Sequence, residues 1–226
     1  MNFYRIFHST GKDVGYYPQV YDAELNFHIE DKNSCVRLSF SKAREITLWP
    51  IPKLSYRAKK TDLISISFIG LSDKLFISSK LHGILQKKES KGIQYIKSEL
   101  ITKKNNEEYW IVNPFLSDYS FLNINECEFV YTDRMLKTEF QNVKFESVES
   151  FINAYYENLN ESAKLGFDEF RPLIVKKVAF KDNSPLDFFS IAGVIGGIGY
   201  YVSQKLKEEI ENSGCTGIIL KEINDQ

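Results

Sequence analysis

Phe76-Ile77-Ser78-Ser79-Lys80-Leu81 and Tyr201-Val202-Ser203-Gln204-Lys205-Leu206 decide the reading of this chain. They stand 125 positions apart and align without a gap. The first continues through Leu85 to Gly92-Ile93-Gln94-Tyr95, the second through Ile210 to Gly217-Ile218-Ile219-Leu220. Ser, Lys, Leu, Gly and Ile recur at the same offsets, with aromatic and aliphatic residues in step around them. Each copy reads as a Ser N-cap, a short amphipathic helix, a Gly turn and a strand. Two explanations stay open. Helix caps and Gly turns are common enough to coincide, or two equivalent pieces pack around one sheet.

Outside the repeat, residues 3–8 and 20–29 read as strands, as do Val36–Phe40, with its period-2 alternation, and Leu63–Ile69. Trp49-Pro50-Ile51-Pro52 reads as an extended connector, because each proline fixes its own φ and restricts the residue before it. Glu107–Val112, Glu128–Tyr131 and Ile174–Phe180 also have strand character, with turns expected around Pro114 and at Asp182–Pro185. Residues 147–161 give the clearest helix. Val148, Phe151, Ile152, Tyr155 and Leu159 form its apolar stripe, and Ser147 is the expected N-cap. Strands dominate and three helices punctuate them. The expected fold is α+β: a mixed, mostly antiparallel sheet with about three helices, two of them in similar strand–helix–strand units. The 226 residues suit a single domain (1–226), within which an N-terminal subdomain (1–60) could precede a core (60–220).

Composition restricts the function classes. The net charge of −1 supplies no global field for nucleic acid. Cys35, Cys127 and Cys215 are widely spaced, odd in number and without a metal-ligand pattern, which suits a reducing cytoplasm. The N-terminal residues do not read as a signal peptide, and the longest apolar stretch, Phe188–Val202, is too short and glycine-broken to span a bilayer. A cytoplasmic protein is expected, with no membrane or nucleic-acid partner, no metal and no cofactor.

Candidate chemistry is sparse. Gly193-Val194-Ile195-Gly196-Gly197-Ile198-Gly199 could bring backbone N–H groups to a phosphate. It lacks the Lys-Ser/Thr of a P-loop and the third glycine of a dinucleotide fingerprint, so a tight turn with a sheet bulge is the favoured reading. His8, His28 and His82 form no ligand motif, and His82 is expected on the exposed side of the first short helix. No local pattern proposes a catalytic residue.

Charge is unevenly spread. Lys42–Lys104 holds fourteen Lys/Arg against five Asp/Glu, whereas Glu139–Phe170 holds seven acids against two lysines, with seven Phe/Tyr. Within the acidic segment Glu149, Asn153, Glu157 and Asn160 lie opposite the apolar stripe of the helix, with Tyr156 at its border. These five residues are either an ordinary solvated face or a docking surface for a basic partner, where acids steer and the aromatic anchors.

Several segments resemble a family of bacterial polymorphic-toxin immunity proteins, the myxobacterial-type immunity domain. Thr61-Asp62-Leu63-Ile64 with Phe76–Leu81 resembles the family's Asp-led strand and "vSeklk" helix, and Gly92–Ile96 the strand that follows. Glu108-Tyr109-Trp110-Ile111-Val112-Asn113 resembles its "YYllN" strand, and Pro185–Ser190 its "plFri" element. Tyr201–Leu206 through Gly214–Ile218 resembles its closing "vSeelkeal…gltGi" signature. The match spans roughly residues 60–220. It departs where the family has a "DxxxS" element, since Asn123 and Cys127 stand in similar places here. The resemblance implies an immunity protein, made beside a toxin, that binds this cognate toxin domain and blocks it without catalysis. The competing class is an enzyme or nucleotide-binding protein with a site assembled near Gly193–Gly199.

Overall fold

In the computed structural model the described residues are 2–38, 40–88, 90–133, 135, 138–162, 164–165, 169–181 and 185–223. Three strands come first: β1 (Phe3–His8), β2 (Asp22–Glu24) and β3 (Ile51–Lys53). The first copy of the repeat follows as β4 (Leu63–Ile64), β5 (Leu75–Ser78), α1 (Ser79–Leu85), β6 (Ile93–Ile101) and β7 (Asn106–Pro114). A middle section holds β8 (Glu128–Thr132), β9 (Glu139–Val143), α2 (Val148–Ser162) and β10 (Leu173–Lys177). The second copy is β11 (Phe188–Val194), β12 (Gly197–Ser203), α3 (Gln204–Asn212) and β13 (Ile218–Glu222). The fold is α+β, as expected, but built on two mixed, mostly antiparallel sheets rather than one. Their strand orders are β13-β1-β12-β11-β10-β8-β9 and β2-β3-β6-β7-β5-β4.

Each copy of the repeat occupies its own sheet, and the two match residue by residue. Leu63 pairs with Ile77 in one, Phe188 with Val202 in the other, again 125 positions apart. Ser78 and Ser203 cap their helices with the same backbone conformation, φ −67° and ψ 161°. Their hydroxyls accept the Leu81 and Leu206 N–H groups, each at 3.2 Å. In the first copy β7 lies between the parallel strands β5 and β6. In the second copy β1 takes that place, between β12 and β13. The equivalence is close: Phe115 N–H donates to the Gly92 carbonyl at 2.8 Å, and Ser9 N–H to the Gly217 carbonyl at 2.9 Å.

The packing explains why both copies carry unbroken apolar runs. Side chains of a strand alternate between faces, and here both faces of the central strands are covered. Leu75 and Ile77 of β5, with Tyr200 and Val202 of β12, enter one core shared by the two sheets. That core is assembled from equivalent pairs: Leu63/Phe188, Leu75/Tyr200, Ile77/Val202, Leu81/Leu206 and Leu85/Ile210. Phe76 points the other way into a smaller core with Tyr109 and Ile111. Tyr201, Phe189 and Ile191 face a third core, roofed by Phe151 and Tyr155 of α2.

Some local expectations are corrected. Of the strand expected over Val36–Phe40, Ser39 lies outside the described residues and Val36–Arg37 belong to a turn of 3₁₀ helix, Cys35–Arg37, capped by the Ser34 hydroxyl on Val36 N–H, while Phe40 has φ 50°. Of residues 20–29, Asp22–Glu24 pair with the short strand β3 and Val20 forms an isolated parallel bridge with Ile66, and the Trp49–Pro52 connector runs into β3. The strand expected over Leu63–Ile69 ends at Ile64, after which Ser65 bonds the buried Gln19 side chain. Of the expected turn Asp182–Pro185, residues 182–184 lie outside the described set.

Candidate functional site

The glycine-rich stretch forms the hairpin joining β11 to β12. The register between them shifts at Ala192/Val194, where Gly193 takes φ 71° as a bulge. Only glycine fits there, because a Cβ would stand 2.4 Å from Cε2 of Tyr155. The backbone at Gly193 is therefore committed to packing α2. The tip, Ile195–Gly196, is held from below by Arg5, whose Nη2 donates to the Ile195 carbonyl at 2.6 Å.

This hairpin separates two cavities. On the α2 side lies an open groove of about 920 Å³, lined by aromatic and aliphatic groups including Phe115, Tyr119, Tyr155, Tyr156, Leu159 and Ile198. Tyr119 and Tyr155 are in edge-to-face contact at 6.0 Å, and the Tyr119 hydroxyl donates to the Ala192 carbonyl at 3.3 Å. On the other side, between the hairpin and β1, lies a cleft of about 490 Å³ with a cationic lining from Arg5, Lys74, Lys176 and Lys221.

Glu149, Asn153, Tyr156, Glu157 and Asn160 are all exposed on the outer face of α2. Tyr156, 49% exposed, is the one of the five that also lines the groove. The apolar stripe of α2 is shifted from the expected one. Leu159 turns outward at 42% exposure, while Asn158 is buried, its amide donating to the Arg171 carbonyl at 2.9 Å and accepting the Leu173 N–H at 2.8 Å.

The histidines do not converge. His28 is exposed. His82, expected to face solvent, is buried and stacked on Trp110 with ring centroids 3.8 Å apart, and burial lowers its pKa. His8 lines the cationic cleft, where burial pushes its pKa down to about 4, so the ring is neutral near pH 7. The thiols are not activated. Burial pushes Cys35 up to about 11 and raises Cys127 and Cys215 as well, opposite to what a thiolate nucleophile needs.

The cationic cleft escapes motif reading because Arg5, Lys74 and Lys221 come from three distant strands or loops. One signal was present: Arg5 interrupts an otherwise aromatic and aliphatic strand, Phe3–Phe7, that the core would keep apolar.

No family model matches this chain, and no curated protein matches it either. Among the described residues no helix is long and apolar enough to cross a membrane.

Proposed function

We propose that this is an immunity protein that binds and neutralises a cognate polymorphic toxin in the cytoplasm of the producing bacterium, by covering the toxin's surface and without catalysis. The observation that carries this reading is the junction at Tyr156 between the acidic outer face of α2 and the aromatic groove beside it. Tight interfaces concentrate affinity in aromatic pockets ringed by polar residues. The groove offers such a pocket, and Glu149 and Glu157 supply a rim that steers a basic partner. The segment resemblance supplies the class of partner. A stable complex buries roughly 1,600 Å² in total, so α2 and the groove form the centre of a larger footprint. The second reading, an enzyme or nucleotide-binding protein at Gly193–Gly199, draws on the cationic cleft beside Gly196. Against it, the space next to Gly193 is filled by Tyr155.

The test is co-expression with the neighbouring toxin-domain gene, scoring growth rescue and co-purification, followed by binding kinetics. Glu149→Lys with Glu157→Lys slows association, and Tyr156→Ala speeds dissociation about tenfold or more, a loss of about 1–2 kcal/mol. All three side chains are exposed, so the thermal midpoint stays put. Rescue without a complex, or unchanged kinetics in both variants, removes this surface from the reading.

A further inference from the structure

A second surface stands on different observations. β1 pairs with β12 only from Phe3 to Arg5, yet continues along β13 to His8. The two strands part after Arg5, and the 490 Å³ cleft fills the wedge. Its other wall is the loop Ser72–Leu75, the first copy's counterpart of the glycine hairpin. Arg5 is only 7% exposed. Of the five N–H donors of its guanidinium, one is spent on the Ile195 carbonyl, and no carboxylate among the described residues pairs with it. Its neighbour across the β1–β13 ladder is Lys221, also without an acidic partner among the described residues. Both cations sit over the Phe7 ring, at 4.8 and 5.4 Å from its centroid. Lys74, 4% exposed, is matched by Asp73 at 2.9 Å, and Lys176 by Glu139 at 2.9 Å. Two cations are left uncommitted in one cleft.

Buried charges are normally paired, because an isolated one is costly to desolvate. Desolvation indeed lowers the Arg5 pKa. An anion entering the cleft would supply the missing partner where water screens least.

We propose that this cleft binds an oxyanion, a phosphate or carboxylate group, with Arg5 as the planar two-pronged donor and Lys221 as the second cation. A guanidinium matches such groups through paired N–H donors. The volume exceeds that of the anion itself, so a small organic body can follow it in against Phe7 and Ile198. The same chemistry could arrive on a free small molecule or on an acidic side chain of a bound protein.

The experiment is ¹⁵N-resolved titration of the full chain with inorganic phosphate, adenosine monophosphate, glutarate and a short Glu-rich peptide, at ionic strength held constant with chloride. The expected result is saturable shifts of the amides of Arg5–His8 and Gly196–Ile198. Saturation by any of the first three probes identifies a small-molecule ligand, and saturation by the peptide alone identifies a protein side chain. Lys221→Glu, at an exposed position, weakens binding at least tenfold while leaving the remaining spectrum in place. Arg5→Lys, which keeps the charge but loses the fork, weakens it further. Absence of saturable shifts with all four probes, or equal binding by Lys221→Glu, overturns the proposal. The measurement uses the isolated protein, so it succeeds or fails independently of the toxin complex.

Discussion

Ser203 is bonded to Asp187 twice: its N–H donates to the Asp187 carbonyl at 3.0 Å, and its hydroxyl donates to the Asp187 carboxylate at 2.6 Å. Ser78 and Asp62 repeat the arrangement at 2.8 and 2.6 Å. In each copy the carboxylate accepts the hydroxyl hydrogen bond, which turns an oxygen lone pair of the serine toward the first turn of the helix. Sixteen residues separate aspartate from serine in both, so the duplication reaches back beyond the stretch where the sequence alignment is plain. A shared helix cap, strand register and set of core positions together argue against coincidence.

Removing either cap tests this equivalence. Ser78→Ala and Ser203→Ala each lose about 2 kcal/mol by urea denaturation, since the cap goes and the aspartate loses a donor. The aspartates are not equal, however. Asp62 also accepts the Thr216 N–H at 2.8 Å and its hydroxyl at 3.1 Å, stitching the first copy to the second. Asp62→Ala therefore costs about 1 kcal/mol more than Asp187→Ala.

At the hairpin, Gly193→Ala meets both a positive φ and the Tyr155 ring. The left-handed backbone alone costs about 1–2 kcal/mol for a residue with a side chain, and the clash adds to it. Tyr155→Ala relieves the clash but not the strain. In a double-mutant cycle the pair loses less than the sum of the single changes, and strict additivity would show that the ring is not what demands glycine.

The repeat was legible because it rests on local grammar: a capping serine, an apolar pair on one helix face, a glycine turn. Its partition between two sheets was not, because β1 reaches its place beside β12 and β13 from the far end of the chain. Val36–Phe40 misled because alternation is a weak signal over five residues, and the Ser34 hydroxyl offered the backbone a local partner instead. His82 looked exposed by helix spacing, yet α1 is short and Trp110 from β7 covers it. The α2 face was readable as a surface, whereas the groove beneath Tyr156 depends on residues from β11, β12 and the segment after β7.

Asn158 shows how tertiary contacts overrule a helical stripe. Spacing favours Leu159 as the inward residue, yet the chain turning from α2 into β10 leaves Leu173 N–H and the Arg171 carbonyl facing the helix. A buried amide serves both. Asn158→Leu, apolar and of similar size, strands the two backbone groups and costs about 2–3 kcal/mol. Leu159→Ser, on the exposed side, stays within about 0.5 kcal/mol. Thermal or urea midpoints separate the two, and the reverse ranking would place the stripe where sequence spacing puts it.

His8 sets a pH dependence whose sign is fixed by its environment. Burial holds the folded-state pKa near 4, below the ordinary value of 6.5, with a backbone bond at Ile64 offsetting this only in part. The unfolded chain therefore takes up a proton first as the pH falls. Its contribution to stability is complete above about pH 6.5 and is withdrawn as the pH drops toward 4. Between pH 7 and pH 5 the loss amounts to about 2 kcal/mol. Carboxylates stabilised in the fold, such as Asp118 beside Lys91, lose stability in the same direction but mostly at lower pH. The comparison that isolates His8 is urea denaturation of the wild type and of His8→Gln at both pH values. The variant keeps a polar side chain near Ile64 but cannot titrate, so its stability falls about 2 kcal/mol less over that interval. An equal fall in both proteins would assign the dependence to other groups.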